Sequence, residues 1–250
     1  MTAPSYGRLA SLGLLAINVA GVTFMIVHSG FVAGMAWVLV IGLHELGHAV
    51  VARYLGARIV KILLIPYVGG LTLGPIRSNL DGRAAFTLGG VALSAVAAVL
   101  LLTASAAVPG DAGVWLASLA AAMAWINLLN LLPVSPLDGG RLVVLTTTAW
   151  SVWVGHTVRG FMLAFLVYWA VKTGAWLIWV IIAISAPVFL IELRFASAKP
   201  ERTSSDPAEG RRAWLWLGLY VLHIVLFLGI LTASVGHPGA AVRVGEALLF

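Results

Sequence analysis

No cysteine occurs in the 250 residues. That excludes a disulfide framework and any thiolate metal site, so a metal would have to be held by His, Asp or Glu. Charge is equally scarce: nine acids and fifteen bases make up 10% of the chain, against 61% hydrophobic residues. So few charges cannot clothe a soluble domain of this length, and the composition is that of a polytopic membrane protein. The net charge of +6 does not point to nucleic acid. The bases cluster in short connections between apolar runs, as the positive-inside rule expects of cytoplasmic loops.

A hydrocarbon core about 30 Å thick takes roughly 20 helical residues. Residues 9–27, 31–55, 84–108 and 112–132 form runs of that kind, and Pro133 and Pro136 must break the fourth. The first run is read as a retained helix, because no small-x-small cleavage site follows it. Shorter spans are expected at 157–171 and 174–193, an amphipathic helix at 142–153, and a seventh span at 213–233. Arg53, Arg58, Lys61, Arg77 and Arg83 crowd one connection, and Arg194, Lys199, Arg202, Arg211 and Arg212 another. The alternate connections carry no Lys or Arg except Lys172. This asymmetry predicts an internal N-terminus and seven crossings. The expected organisation is a core over 1–193, a cytoplasmic loop over 194–212, and a last helix with its tail over 213–250. No internal repeat is present.

The second run ends in "HELGHAV". His44 and His48 are four apart, so a helix presents both imidazoles from one face, where they can grip one ion. Glu45 can address a water beside that ion without being a ligand. Two imidazoles on zinc, with a carboxylate as general base for a water whose pKa falls to about 7, is the zincin arrangement. Each ionisable group in a span costs roughly 2.5 kcal/mol or more at the helix centre, so three in five residues need compensation. The plainer reading is a helix end projecting into water. Against it, His44 lies thirteen residues past Phe31, or about 20 Å, which keeps it within the membrane towards the cytoplasmic side. Gly42 and Gly47 would let a neighbouring helix approach closely.

A catalytic zinc site takes a third protein ligand and keeps one position open. Asp81, Asp111, Glu201, Asp206 and Glu209 sit in stretches that read as polar loops, Glu246 in the tail, and Glu192 at the end of a span beside Arg194. Asp138 differs, since it closes "NLLNLLPVSPLDGG", the broken end of the fourth span. With spans two and four both running inwards, it reaches the depth of His48. His28, His156, His223 and His237 lie at span ends, where snorkelling or hydrogen-bonded roles are expected.

"HELGH" followed some ninety residues later by "NLLPVSPLDGG" resembles the site-2 protease family of intramembrane zinc metalloproteases. "GLHELGHAVVARYLG" near the N-terminus is similar to the compact branch that processes a sporulation sigma factor. The resemblance covers about residues 9–193. It implies an all-α polytopic fold with a six-helix core, a small re-entrant β-hairpin and here an additional C-terminal helix. It implies His44, His48 and Asp138 as zinc ligands, Glu45 as general base, and Asn130 assisting near the scissile carbonyl. "YVGGL", with Gly69 and Gly70, matches the hairpin thought to pair with an unwound substrate. The sequence departs from the family in its third span, where a Gly-Pro-x-x-Asn element is usual. Here Gly90 is followed by Val91 and by Ser94, which can still donate a hydrogen bond. The nucleotide-sensing domain of some relatives and a PDZ insertion are not expected.

A helical substrate hides its backbone and must be unwound before attack. A sheet edge could take up the exposed groups by strand addition, although a plain turn explains two glycines equally well. Asn127, one turn before Asn130, serves either as an oxyanion donor towards substrate or as a partner of a neighbouring helix. Three rivals stand beside the protease: a catalytically silent metal-binding scaffold, a metal transporter, and a prenyl-protein-protease-like zincin drawing its third ligand from Glu192. Glu45 disfavours the first. The second expects acids and histidines spread along a pathway. The third lacks a suitable motif around Glu192. The expected partners are single-span membrane proteins, such as anti-sigma factors or signal-peptide remnants, together with membrane lipids. A prokaryotic cell membrane is the expected location.

Overall fold

The computed structural model describes residues 8–57, 61–65, 69–73, 79–197 and 207–236. Among them run α1 (Arg8–Ser29), α2 (Phe31–Tyr54), β1 (Lys61–Ile65), β2 (Gly69–Leu73), α3 (Leu80–Ala107), α4 (Asp111–Asn130), α5 (Asp138–Thr147), α6 (Val152–Thr173), α7 (Trp176–Ser197) and α8 (Pro207–Val235). All of these helices except α5 are long and apolar enough to cross a membrane, seven among the described residues. Uninterrupted apolar sequence builds them, and local chemistry ends them. Asn79 caps α3 by accepting from the Gly82 N–H at 3.0 Å, and Ser151 caps α6 by accepting from Trp153 at 3.2 Å. Gly174 closes α6 at φ 68°, a left-handed conformation that glycine enters without penalty.

Helix α3 is the spine of the bundle, packed between α2 and α4, with α8 laid across α3 and α4. The buried core draws on Met25, Trp37, Val40, Ile41, Leu88, Val91, Met123 and Ile126, and also on Tyr220, Phe227 and Ile230 of α8. The last helix is therefore part of the core and not an addition to it. The α2–α3 crossing is close because both helices present glycine. A Cβ on Gly47 would run into the Gly89 carbonyl, whereas Gly42 faces open space. Large apolar side chains such as Val27, Phe161, Val171 and Leu215 point outward, where hydrocarbon solvates them as well as protein would.

A second, smaller cluster of Val134, Leu166 and Ile181 joins α6 and α7 to the segment after α4. Strands β1 and β2 pair antiparallel, Leu64 opposite Gly70 and Ile65 opposite Gly69, and the pair lies against α1 and α2. Tyr67 and Val68 of the quoted "YVGGL" fall outside the described residues, as do Glu201, Asp206, His237 and Glu246.

Three expectations need correction. The loop expected over 194–212 is helical to Ser197 and again from Pro207; proline fits the first turn of a helix, and Glu209 beside it suits the positive end of the helix dipole. Asp81 is not in a loop but in the first turn of α3, where its carboxylate accepts from Trp216 Nε1 at 2.9 Å. The amphipathic helix expected at 142–153 begins earlier, with Asp138 itself in its first turn.

Candidate metal centre

Two elements build the site. Helix α2 supplies His44, Glu45 and His48 on its buried face, and the Pro-rich break after α4 delivers Asp138 at the start of α5. All four are buried. Nε2 of His44 and Nε2 of His48 are 3.1 Å apart, and Oδ2 of Asp138 lies 3.2 Å from the first and 3.1 Å from the second. The carboxylate of Glu45 gathers with the two imidazoles, its ligand atom within 4.8 Å of theirs.

The outer ring nitrogens settle which protons are present. His44 Nδ1 sits 2.9 Å from Oδ1 of Asn127, whose Nδ2 is committed to the Met123 carbonyl at 2.7 Å. An amide oxygen only accepts, so Nδ1 of His44 carries the hydrogen. His48 Nδ1 sits 2.7 Å from the Phe86 carbonyl, which imposes the same tautomer. In its neutral form each imidazole then presents a lone pair at Nε2. Asp138 adds a carboxylate oxygen that faces both Nε2 atoms. Two Nε2 atoms and Oδ2 of Asp138 thus converge within 3.1–3.2 Å of one another, and Oδ2 has no other hydrogen-bond partner.

A small cation fits that convergence. Tetrahedral zinc with ligands at 2.0–2.1 Å separates them by about 3.3–3.4 Å, close to the triangle found here. The chemistry fits as well as the spacing: two neutral imidazoles with their outer N–H groups tied to oxygen, plus a carboxylate, form a hydrolytic zinc donor set with its orienting partners in place. Helix α3 closes one side. A Cβ on Gly90 would stand 2.6 Å from His48 Nε2 and 2.7 Å from the His44 carbonyl, so only glycine lets the imidazoles and α3 share that space. Gly139 is similarly constrained, pressed on the Leu131 carbonyl as α5 turns back on the end of α4.

The remaining expected residues separate. Asn127, expected among the substrate contacts, is fully buried and engaged with His44. Asn130 is buried at the end of α4 with Nδ2 on the Ile126 carbonyl at 3.1 Å. Ser94 is fully buried one turn beyond Gly90, and its Oγ has no hydrogen-bond partner. Gly69 and Gly70 lie in β2, away from the imidazole triangle in sequence and described here by their strand pairing alone. Glu192 is not a ligand: its Oε2 lies 2.6 Å from Nη1 of Arg159. Sequence reasoning missed three contributors. The Phe86 carbonyl leaves no trace in residue type, and Ser135 is an ordinary loop residue. Arg159, an arginine inside an expected span, is the kind of signal that should have been followed.

No family model matches the chain. A zinc metalloprotease of Methanocaldococcus jannaschii, MJ0392, is 33% identical over 105 residues, 40% of this chain and 30% of that protein. The provisionally named zinc metalloprotease Rip3 of Mycobacterium tuberculosis is 38% identical over 114 residues, 40% of this chain and 27% of its own length. Each match thus spans less than a third of the relative concerned. A solved site-2 protease from Methanocaldococcus jannaschii covers 78% of this chain and 90% of its own at 21% identity, with a TM-score of 0.47. Both named relatives are zinc metalloproteases by name.

Proposed function

We propose that this chain is an intramembrane zinc metalloprotease that hydrolyses a peptide bond within or near the transmembrane segment of single-span membrane proteins. The observation that carries the reading is the convergence of Nε2 of His44, Nε2 of His48 and Oδ2 of Asp138 within 3.1–3.2 Å, with Glu45 beside them. Zinc held there by these three residues would supply Lewis acidity, polarising the scissile carbonyl and acidifying a water. Glu45 takes the proton of the attacking water and later delivers it to the leaving amine. Asn127 and the Phe86 carbonyl keep the imidazoles in the tautomer that binds. Asn130 and Ser94 are the candidate donors towards the carbonyl oxygen as charge develops on it.

The β1–β2 pair lies beside α1 and α2; re-entering the membrane there, it would offer an edge on which an unwound substrate can satisfy its backbone. Gly69 and Gly70 allow a partner strand to come close. The site opens towards the cytoplasmic side of a prokaryotic membrane, in keeping with the distribution of basic residues. Anti-sigma factors and signal-peptide remnants are the substrate classes expected from the motif resemblance to the compact branch. The test compares purified wild type with Glu45→Gln in detergent on a panel of single-span proteins. Wild type should cleave at least one of them, the variant none, and both should retain metal. Equal cleavage by the two forms would remove Glu45 from the chemistry, and metal retention with no cleavage by either would favour a scaffold.

A further inference from the structure

Arg159 is the largest fully buried side chain among the described residues, 1% exposed on the apolar helix α6. Its Nη1 lies 2.6 Å from Glu192 Oε2 on α7 and donates at 2.7 Å to the hydroxyl of Ser135. Its Nη2 donates to His156 Nδ1 at 3.1 Å, and the guanidinium stands 5.4 Å over the Phe189 ring. Ser135 in turn donates to Glu192 Oε2 at 3.2 Å. A charge at this depth of a span needs a reason, and pairing with Glu192 alone would neutralise it. Neutralisation calls for neither His156 nor Ser135, and of the two only Ser135 belongs to another element. It lies three residues before Asp138, in the segment that carries this ligand to the imidazoles.

The connection onward is rigid. A Cβ on Gly140 would stand 2.6 Å from the Ser135 nitrogen and press still closer on Val134, so the first turn of α5 bears directly on the backbone at Val134–Ser135. Moving Ser135 moves that turn, and Asp138 is its first residue. We infer that Arg159, Glu192 and Ser135 form a positioning unit that sets the Asp138 carboxylate against His44 and His48, and so fixes the affinity and geometry of the metal site from two helices that contribute no ligand. The inference rests on the metal reading given under Proposed function. These three are positioning residues, because they reach the metal only through Asp138.

The test uses the full chain in detergent, with zinc dissociation into a chelator and the visible bands of cobalt-substituted protein as readouts, and melting of the metal-free form as the folding control. Ser135→Ala keeps the Arg159–Glu192 pair and removes only its hold on the loop, while Glu192→Gln weakens the pair itself. Both should release zinc about tenfold faster, the lower end of the 10–100-fold range for orienting partners of ligands, and both should alter the cobalt bands. Ser135→Ala should melt with the wild type once metal is removed. Wild-type dissociation and wild-type cobalt bands in Ser135→Ala would overturn the inference, whether or not its melting temperature falls. Wild-type protein that binds no zinc would overturn the metal reading and this inference with it.

Discussion

At the scale of single residues, the site is decided by which nitrogen of each histidine holds its proton. Asn127 and the Phe86 carbonyl take the Nδ1 hydrogens, and the lone pairs are thereby turned towards Asp138. Asn127→Ala should therefore weaken zinc binding about 10–100-fold, measured by competition with a chromogenic chelator, with Glu45 untouched. Unchanged affinity would mean that His44 is oriented by something else. His44, His48 and Glu45 were legible in the sequence because helical spacing alone puts the imidazoles together. Asp138 was legible because prolines break the span just before it. Asn127 was visible as a polar residue in a span, yet its partner was not, since nothing in residue type says which of two helices an amide faces. Arg159 stood in an expected span and betrays how far a network of buried polar groups extends beyond a motif.

At the scale of elements, the segment between α4 and α5 is held at its start as well as near its end. Tyr220 of α8 donates its hydroxyl hydrogen to the Leu131 carbonyl at 2.5 Å, where α4 stops. Tyr220→Phe leaves a buried carbonyl without that donor and should destabilise the fold by about 1–3 kcal/mol, read as denaturant or thermal unfolding in detergent. A variant as stable as wild type would show that the carbonyl finds another donor. The runs that form the seven long helices were readable because lipid demands length and apolarity. Their partners were not, and α8 read as an appendage because apolarity on every side conceals which stripe is packed. The ends of α7 and α8 read as part of one long aqueous loop for a related reason: Arg and Glu suit helix ends as well as loops.

At the scale of the whole molecule, a bundle packed around a charged triangle should depend on the ion that reconciles it. With free zinc at about a hundred times Kd, ligand binding to the folded state stabilises it by about 2.7 kcal/mol. Wild-type protein in detergent should consequently melt higher with zinc than after chelation, and His44→Ala should show no such rise. Identical melting of the wild type in both conditions would indicate that the folded bundle gains nothing from the ion. Number of spans, composition and metal-binding motif were all apparent from sequence, whereas the depth of α8 in the core and the cluster joining α6 and α7 to the ligand-bearing loop required three dimensions.

The contact at Gly90 has a directional consequence. Because the backbone of α3 rests directly on both imidazoles, that flank of the metal site is walled off, with no thickness left for a peptide or even a methyl group. On the proposed function, a chain to be cut must arrive from another bearing. A search for the path by which a proposed substrate enters can thus set aside the flank at Gly90 and begin elsewhere around the two rings.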